Sequence, residues 1–289
     1  MSLFQHTGIS GQEHRSRSAL NIAFQESWKR GTITHRDRDL LECGARHDLC
    51  SVNPFARLLW SKAVCREFQD FFGLDHRNHF PRQPLFFVTL THVECCTPHD
   101  EIFVDIETFK RQLRRGLAGL SYIGMVEPAL YVNVAPGTRW CSKKAVSWHL
   151  HAICWGENRK RMKKRFRRLN QGRMYLSIMD GQLGAHQKQI PNAYLDNKSR
   201  TFLADKLRYM LKSPRKAYRI YKTKRVASGG EVVPCFRQKK SEQRKGDLIT
   251  LFHLMKGLYL DTLAVGGGDG ARMLRRIKKA AGRVGPGGC

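Results

Sequence analysis

Two histidines separated by one residue lie in the middle of an apolar segment, Trp148-His149-Leu150-His151-Ala152-Ile153. The composition of this segment is typical of a buried β-strand. Side chains alternate between the two faces of a strand, so His149 and His151 point to one face and their apolar neighbours to the other. The sequence therefore predicts a central strand that brings two imidazoles together on one side of a sheet.

Two neutral imidazoles on a rigid strand can supply two ligands to a divalent metal ion, and a neighbouring strand can supply a third. The preceding apolar segment, Tyr122 to Val134, is a second strand candidate, which we expect Pro128 to break. Antiparallel pairing of the two strands places Glu127 beside the histidines in one register, whereas a shift of one residue reverses its face. A pair of partly buried histidines satisfied by ordinary hydrogen bonds is the alternative.

The charge of the chain indicates a polyanionic partner. Lys and Arg number 52 against 24 Asp and Glu, which gives a net charge of +28 over 289 residues. Nucleic acid is the first expectation, because phosphates neutralised by cations release condensed counterions. A membrane partner is not expected, because no apolar run of about 18 residues occurs. The N-terminal residues lack a hydrophobic signal core, so we expect a cytoplasmic protein.

The densest positive charge directly follows the histidine strand. Residues 157–168 contain eight lysines and arginines. Such a run is often only a solvated face, but its position after the candidate metal strand favours a helix that binds phosphates. Together with a basic loop before the strand, this segment supplies the predicted DNA-binding residues: Lys143, Lys144, Arg159, Lys160, Lys163, Lys164, Arg167 and Arg168.

Apolar periodicity places further helices and strands. It predicts a helix from Pro54 to Phe72, an amphipathic helix after Asp105, and a helix over 201–212 that ends before Pro214. A β-branched and aromatic run at 85–91 predicts a strand. Tyr209 and Lys212 are three residues apart and share one face of the third helix.

The two ends of the chain and the segment before the third helix carry weaker patterns. Residues 1–35 are polar and predict a mobile arm, and residues 170–198 read as loop-rich. Near the C-terminus, 248–263 is an apolar helix candidate, followed by a glycine-rich break at 266–268 and a basic tail.

The nine cysteines form no evident paired framework, which fits reduced thiols in the cytoplasm. Cys43, His47 and Cys50 lie close together in sequence, with His35 and Cys65 as possible further zinc ligands. The cluster lacks a C-x-x-C knuckle, so ordinary half-buried thiols are the alternative to a structural zinc site.

Three motifs follow one another along the chain: Phe87-Val88-Thr89-Leu90-Thr91, His149-Leu150-His151 and Tyr209-Met210-Leu211-Lys212. In so basic a protein, this ordered set resembles the HUH endonuclease superfamily, in particular the single-tyrosine rolling-circle replication initiators of plasmids and phages. Relaxases and single-tyrosine transposases share that chemistry. The resemblance covers roughly residues 84–224, about half of the chain.

The resemblance implies roles for particular residues. Tyr209 would be the nucleophile, which holds the 5′ phosphate of a nicked strand as a phosphotyrosyl ester. His149, His151 and Glu127 would bind Mn²⁺ or Mg²⁺, with Asp105 as the reserve third ligand. Lys212 would stabilise charge on the phosphate or the phenolate.

Tyr209 could instead be a packing residue whose hydroxyl reaches solvent, and Tyr218 and Tyr221 nearby keep the choice of nucleophile open. A second nucleophile one helical turn from Tyr209 would need tyrosine at position 205 or 213, and neither position has one. Tyr218 and Tyr221 follow Pro214, beyond which the helix is not expected to carry them to the metal.

The expected fold is α+β, with a central, mostly antiparallel sheet and flanking helices. An N-terminal arm and helical region over 1–80 precede the nickase domain at 81–225, and a basic extension follows at 226–289. The expected function is initiation of rolling-circle replication on single-stranded or hairpin origin DNA, with a host helicase as partner. A transposase or relaxase is the alternative within the same chemistry, and a non-catalytic nucleic-acid-binding protein is the alternative of another class.

Overall fold

The computed structural model describes residues 2–42, 49–74, 83–101, 104–134, 143–179, 182–191, 198–226 and 230–282. The helices in these residues are α1 (Leu3–Thr7), α2 (Ile9–Trp28), α3 (His35–Asp39), α4 (Pro54–Phe72), α5 (Ile106–Arg115), α6 (Arg159–Gln171), α7 (Lys198–Leu211), α8 (Lys245–Met255), α9 (Leu260–Leu263) and α10 (Asp269–Gly282). The strands are β1 (Phe86–Pro98), β2 (Ser121–Val132), β3 (Lys144–Trp155), β4 (Ala185–Gln189), β5 (Lys216–Val226), β6 (Val232–Glu242) and β7 (Ala264–Gly267).

The strands form one sheet in the order β4-β1-β3-β2-β5-β6, and β7 pairs with β2. Every neighbouring pair is antiparallel except β2 with β5. The predicted α+β class, with a central, mostly antiparallel sheet and flanking helices, is confirmed. One hydrophobic cluster contains buried residues from all three predicted divisions of the chain, 1–80, 81–225 and 226–289. Among them are Ile9, Trp60, Leu150 and Met273.

Helices α5 and α6 cover one face of the sheet. Each connects two parallel strands, β1 to β2 and β3 to β4, and such crossovers are right-handed in nearly all proteins, which puts both helices on the same side. Phe109 of α5 packs against Trp148, with ring centroids 6.3 Å apart. Arg165 of α6 donates from Nη1 to the carbonyl oxygen of Ala118, 2.9 Å away, just beyond α5. Because Trp148 alternates with His149, these helices lie on the face opposite the histidines.

Helices α4 and α7 pack on the histidine face. Trp155 shares this face with His149 and His151, and its ring lies 6.3, 5.8 and 5.3 Å from those of Phe68, Phe71 and Phe72 in or at the end of α4. The helix bounds match the predicted ones at both ends, because Asn53 caps the first turn and Gly73 takes a positive φ of 59°.

The predicted break at Pro128 is wrong, since β2 runs continuously from Ser121 to Val132. On one edge β2 pairs with β3 throughout, including Pro128 opposite Trp148. On the other edge it pairs with β7 as far as Met125 and with β5 from Leu130 onward. Pro128 falls in the interval between these partners, where a missing N–H costs the sheet no ladder hydrogen bond on that edge.

The mobile arm predicted for residues 1–35 is also wrong, because the segment forms α1 and α2. Ile9 is fully buried in the main cluster, and Phe24 packs edge-on against Phe252 of α8 at 4.8 Å. The buried face of α2 includes the polar side chains of Glu13 and Ser16. A helix that buries polar residues lacks the apolar stripe by which the sequence would have revealed it.

Two segments near the C-terminus differ from expectation. The helix expected at 248–263 is divided into α8 and α9, whereas residues 170–198, expected to be loop-rich, contain the short strand β4 between α6 and α7. The glycine-rich segment at 266–268, expected to be a break, contains the last two residues of strand β7 and leads into α10. A Cβ added at the nearby Gly270 would lie 1.9 Å from the carbonyl oxygen of Tyr122. Glycine is therefore required there for close backbone packing, not for a break.

Candidate metal centre and nucleophile helix

The register of β2 and β3 brings the predicted metal ligands together. Glu127 is the direct partner of His149, and Met125 is the partner of His151. On the other side of β3, Thr91 pairs with His149 and Thr89 with His151. The predicted antiparallel pairing, with Glu127 beside the histidines, is confirmed.

The three side chains converge on one point. Oε1 of Glu127 lies 3.2 Å from Nε2 of His149 and 3.0 Å from Nε2 of His151. The two Nε2 atoms are 3.0 Å apart. All three residues are nearly inaccessible to solvent, at 7%, 9% and 3% exposure for Glu127, His149 and His151.

The other ring nitrogens orient the two imidazoles. Nδ1 of His149 lies 3.3 Å from the carbonyl oxygen of Ser147. A carbonyl oxygen only accepts hydrogen bonds, so the neutral tautomer that donates to it carries its proton on Nδ1 and has a lone pair on Nε2. Nδ1 of His151 bonds to Oγ1 of Thr89 at 2.9 Å, which leaves its Nε2 directed at Glu127. Such outer contacts are the usual support of metal-binding histidines.

This arrangement fits a cation. With their protons on Nδ1, the two imidazoles can share one cation with the carboxylate, because all three ligand atoms lie within 3.2 Å of one another. Without an ion, an Nε2–H can donate to Oε1 of Glu127 instead. Oε2 of Glu127 is buried without a hydrogen-bond partner among the described residues. The described part of the chain contains one group of three side chains that can hold a metal ion, and it consists of Glu127, His149 and His151. Asp105, the reserve ligand, instead caps α5 by accepting from the Thr108 N–H at 2.9 Å.

The surroundings keep the carboxyl group ionised. Burial alone raises the pKa of Glu127, but the Lys212 ammonium and the two imidazoles outweigh it and hold that pKa well below its usual range. Nζ of Lys212 is 3.9 Å from Oε1 of Glu127. Burial, together with the neighbouring His149, lowers the pKa of His151 to about 4. An anionic carboxylate and a neutral imidazole are the protonation states that metal binding requires.

Helix α7 places Tyr209 and Lys212 beside these ligands. The ring of Tyr209 stands edge-on to that of His151 at 4.9 Å and to that of Phe87 at 5.8 Å. Nζ of Lys212 lies 4.3 Å from the centre of the Tyr209 ring. The residues that the sequence grouped by motif order are thus close together in the structure.

A cleft of about 220 Å³ opens beside the histidines. Its walls come from β1, β2, β3, α7 and the β5–β6 hairpin, and its lining includes Thr91, His149, His151, Tyr209, Tyr218 and Gln238. The mixture of hydroxyl, imidazole and amide groups suits a polar ligand.

The expectation that Tyr218 stays away from the metal site is wrong. After Pro214 the chain returns as β5 beside β2, where Tyr218 pairs with Tyr131. The two rings stack at 4.9 Å, and Tyr218 lines the cleft together with Tyr209. Tyr218 reaches the cleft because it lies on strand β5, which returns beside β2, and not by extension of helix α7. Tyr221 lies outside the cleft and is 46% exposed.

Lys240 is a second neighbour that the sequence did not indicate. Its Nζ donates to the hydroxyl oxygen of Tyr209 at 3.2 Å. Lys240 is the cross-strand partner of Tyr218 in the β5–β6 hairpin. It belongs to the range assigned to a basic extension, and only long-range strand pairing could have connected it with Tyr209.

Contacts from the N-terminal helices fix the end of α7. Arg57 of α4, which is buried, donates from Nε to the Ser51 carbonyl oxygen at 2.6 Å and from Nη1 to that of Leu211 at 3.2 Å. Glu13 of α2 accepts from the N–H of Ser213 at 2.9 Å and from its hydroxyl at 2.5 Å. These contacts bracket the segment that contains Lys212.

The predicted DNA-binding residues lie apart from the cleft. Helix α6 buries Met162 and Phe166, and its six predicted cations are exposed on the face of the sheet opposite the histidines. Lys143 is exposed, whereas Lys144 pairs with the buried Asp247 at 2.8 Å. The cleft lining described by the structure includes none of the eight.

The possible zinc cluster falls mostly outside the described residues, since Cys43 and His47 belong to 43–48. Cys50 is buried and its thiol contacts the carbonyl oxygen of Lys256 at 3.5 Å. Cys65 is buried in α4, and His35 packs edge-on against Trp28 at 4.4 Å.

Among the helices of the described residues, none has the length and apolar character needed to cross a membrane. Comparison of the chain with family models, curated proteins and solved structures finds no match.

Proposed function

We propose that this protein is a metal-dependent DNA nickase and strand transferase of the HUH type, which initiates rolling-circle replication. The observation that carries the proposal is that Tyr209 lines one cleft with His149 and His151, two members of the group that they form with Glu127, and that its ring is 4.9 Å from that of His151. A nucleophilic hydroxyl beside a divalent metal site is the arrangement that phosphodiester transfer requires. The net charge of +28 suits a nucleic-acid substrate.

Glu127, His149 and His151 would hold Mn²⁺ or Mg²⁺. When bound, the ion acts as a Lewis acid toward the oxygens of the scissile phosphate. The carboxylate favours these hard cations, and the two imidazoles favour Mn²⁺ of the pair. Lys212 offsets part of the negative charge of Glu127, from which it is 3.9 Å away.

Tyr209 carries the strand through the reaction. Its hydroxyl oxygen attacks the phosphorus and loses its proton to solvent, while the bond from phosphorus to the 3′ oxygen breaks and that oxygen takes up a proton. The 5′ phosphate remains on the tyrosine as an ester. In the reverse direction a 3′ hydroxyl attacks this ester and restores the phosphodiester without an external energy source.

The substrate in this proposal is single-stranded or hairpin origin DNA in the cytoplasm, and a host helicase would separate the strands after nicking. The exposed cations of α6 would bind phosphates of a segment outside the cleft, because they lie on the other face of the sheet. The same chemistry at transposon ends or at a transfer origin is distinguished by supplying those DNA sequences instead.

The test is formation of a covalent protein–DNA adduct. Wild-type protein, labelled single-stranded DNA from the flanking replicon and Mn²⁺ or Mg²⁺ should give a protein-linked product, and Tyr209→Phe should give none while binding DNA normally. Tyr221→Phe is the matched control, because Tyr221 is 46% exposed outside the cleft, and it should react as wild type. An adduct that persists in Tyr209→Phe assigns the nucleophile elsewhere. A wild-type protein that binds the DNA but forms no adduct is a non-catalytic binder.

A further inference from the structure

Two lysines lie against Tyr209, and they contact different parts of it. Nζ of Lys212 stands over the ring, 4.3 Å from its centre, and 3.9 Å from Oε1 of Glu127. Nζ of Lys240 donates a hydrogen bond to the hydroxyl oxygen at 3.2 Å. Of these two cations, Lys240 is therefore the one that touches the atom which would react.

The β5–β6 hairpin holds the Lys240 ammonium in place. Lys240 and Tyr218 are direct cross-strand partners, and Nζ of Lys240 is 5.4 Å from the centre of the Tyr218 ring. Tyr218 is itself fixed by stacking on Tyr131 at 4.9 Å. The hairpin thus holds the Lys240 ammonium beside the Tyr209 hydroxyl.

We propose that Lys240 is a catalytic residue that stabilises negative charge on the Tyr209 oxygen, an inference that rests on the proposed function. In strand joining, a 3′ hydroxyl oxygen attacks the phosphorus and releases its proton to solvent. The bond between phosphorus and the Tyr209 oxygen breaks, and its electron pair stays on that oxygen. The Lys240 ammonium donates its hydrogen bond to this phenolate, which then takes a proton from solvent.

The same contact acts in cleavage, where the Tyr209 oxygen develops negative charge as its proton leaves. A hydrogen bond from an ammonium group to an anionic oxygen is about twice as strong as one between neutral groups. The bond therefore strengthens as charge develops, which is the condition for lowering a barrier instead of only binding the ground state. The Lys212 ammonium interacts instead with the carboxylate of Glu127, since its Nζ is 3.9 Å from Oε1.

The experiment compares Lys240→Gln with Lys239→Gln. Lys239 is the adjacent exposed residue, and its cross-strand partner is Arg219 on the other face of the hairpin. Each variant loses one positive charge, so both should weaken DNA binding equally. With saturating DNA and Mn²⁺, Lys240→Gln should slow single-turnover adduct formation and rejoining on the order of 10²-fold, the usual effect of removing one charge-stabilising donor. Lys239→Gln should react at the wild-type rate.

Lys240→Arg keeps both the charge and a donor and should recover most of the lost rate. Calorimetric Mn²⁺ binding by every variant reports whether the sheet is intact. A Lys240→Gln protein that reacts as fast as Lys239→Gln overturns this inference while leaving a Tyr209-dependent adduct, and hence the proposed function, in place. A Lys240→Arg protein as slow as Lys240→Gln overturns the cationic role. A wild-type protein without an adduct overturns the proposed function and this inference with it.

Discussion

The candidate metal ligands and the end of helix α7 are assembled in different ways. His149 and Glu127 are 22 residues apart on paired strands, and the backbone ladder alone sets their separation. The end of α7 depends on remote contacts, with Ser213 bonded to Glu13 across 200 residues and Arg57 to Leu211 across 154. Metal binding and the placement of Tyr209 should therefore be separable, and four variants test how far that separation holds.

The largest effect is expected from loss of the metal ligands. Replacing both His149 and His151 by Ala should abolish adduct formation and leave DNA affinity largely unchanged, because phosphate contacts of the basic surface dominate affinity. His186→Ala is the matched control, since His186 is an exposed histidine that lines the same cleft and contacts the Leu183 carbonyl oxygen at 2.8 Å. Nicking assays and filter binding measure the two quantities. Undiminished nicking by the double variant would exclude a metal role for the pair.

A smaller effect on the metal site is expected from replacing Thr89, whose hydroxyl contacts His151. Thr89→Val removes the hydroxyl that bonds Nδ1 of His151 at 2.9 Å and should weaken Mn²⁺ binding about 10- to 100-fold, as loss of outer contacts to metal ligands usually does. Thr91→Val makes the same change beside His149 and serves as the control. Calorimetric titration with Mn²⁺ compares them, and equal affinities would mean that Thr89 does not orient the imidazole.

The contrast between the two regions also explains what the sequence could predict. Alternation along β3 placed His149 and His151 on one face, and antiparallel pairing with the preceding segment added Glu127 in one of two possible registers, because both patterns are local. Helix periodicity placed Tyr209 in α7. Tyr218 and Lys240 reach Tyr209 only through the β5–β6 pairing, which no local pattern encodes.

Helices α1 and α2 were missed for another physical reason. The buried face of α2 contains Glu13, whose burial is stabilised by hydrogen bonds from Ser213, far away in sequence. A polar residue that is buried because of a remote partner looks like a surface residue when only its neighbours in the chain are read. Pro128 led to a different error, a predicted break inside a continuous strand. The change of strand partner that accommodates this proline cannot be predicted from the sequence of β2 alone.

Breaking the remote contact at α7 should affect stability and alignment but not metal binding. Glu13→Gln removes the buried carboxylate that accepts both bonds from Ser213 and should lower the free energy of unfolding by about 2 kcal/mol. Adduct formation should slow while Mn²⁺ affinity stays at the wild-type value. Glu26→Gln on the same helix removes only an exposed ion pair with Lys245 and should change stability by less than about 0.5 kcal/mol. Urea unfolding provides the comparison, and a loss of Mn²⁺ binding in Glu13→Gln would show that the two regions are coupled.

The smallest effect on chemistry is expected from the basic helix on the far face of the sheet. Neutralising Arg159, Lys160, Lys163 and Lys164 together should weaken binding to any DNA and reduce its salt dependence, by up to about 0.7 in slope per lost single-strand phosphate contact. At saturating DNA the rate of adduct formation should not change, because α6 and the cleft lie on opposite faces of β3. Removing four cations from α10 (Arg272, Arg275, Lys278 and Lys279) is the control for net charge alone. Equal changes in slope for α6 and α10 would make α6 an ordinary solvated face. A slower adduct rate in the α6 variant would mean that bound DNA runs from the far face into the cleft, so that this surface helps to position the strand at Tyr209.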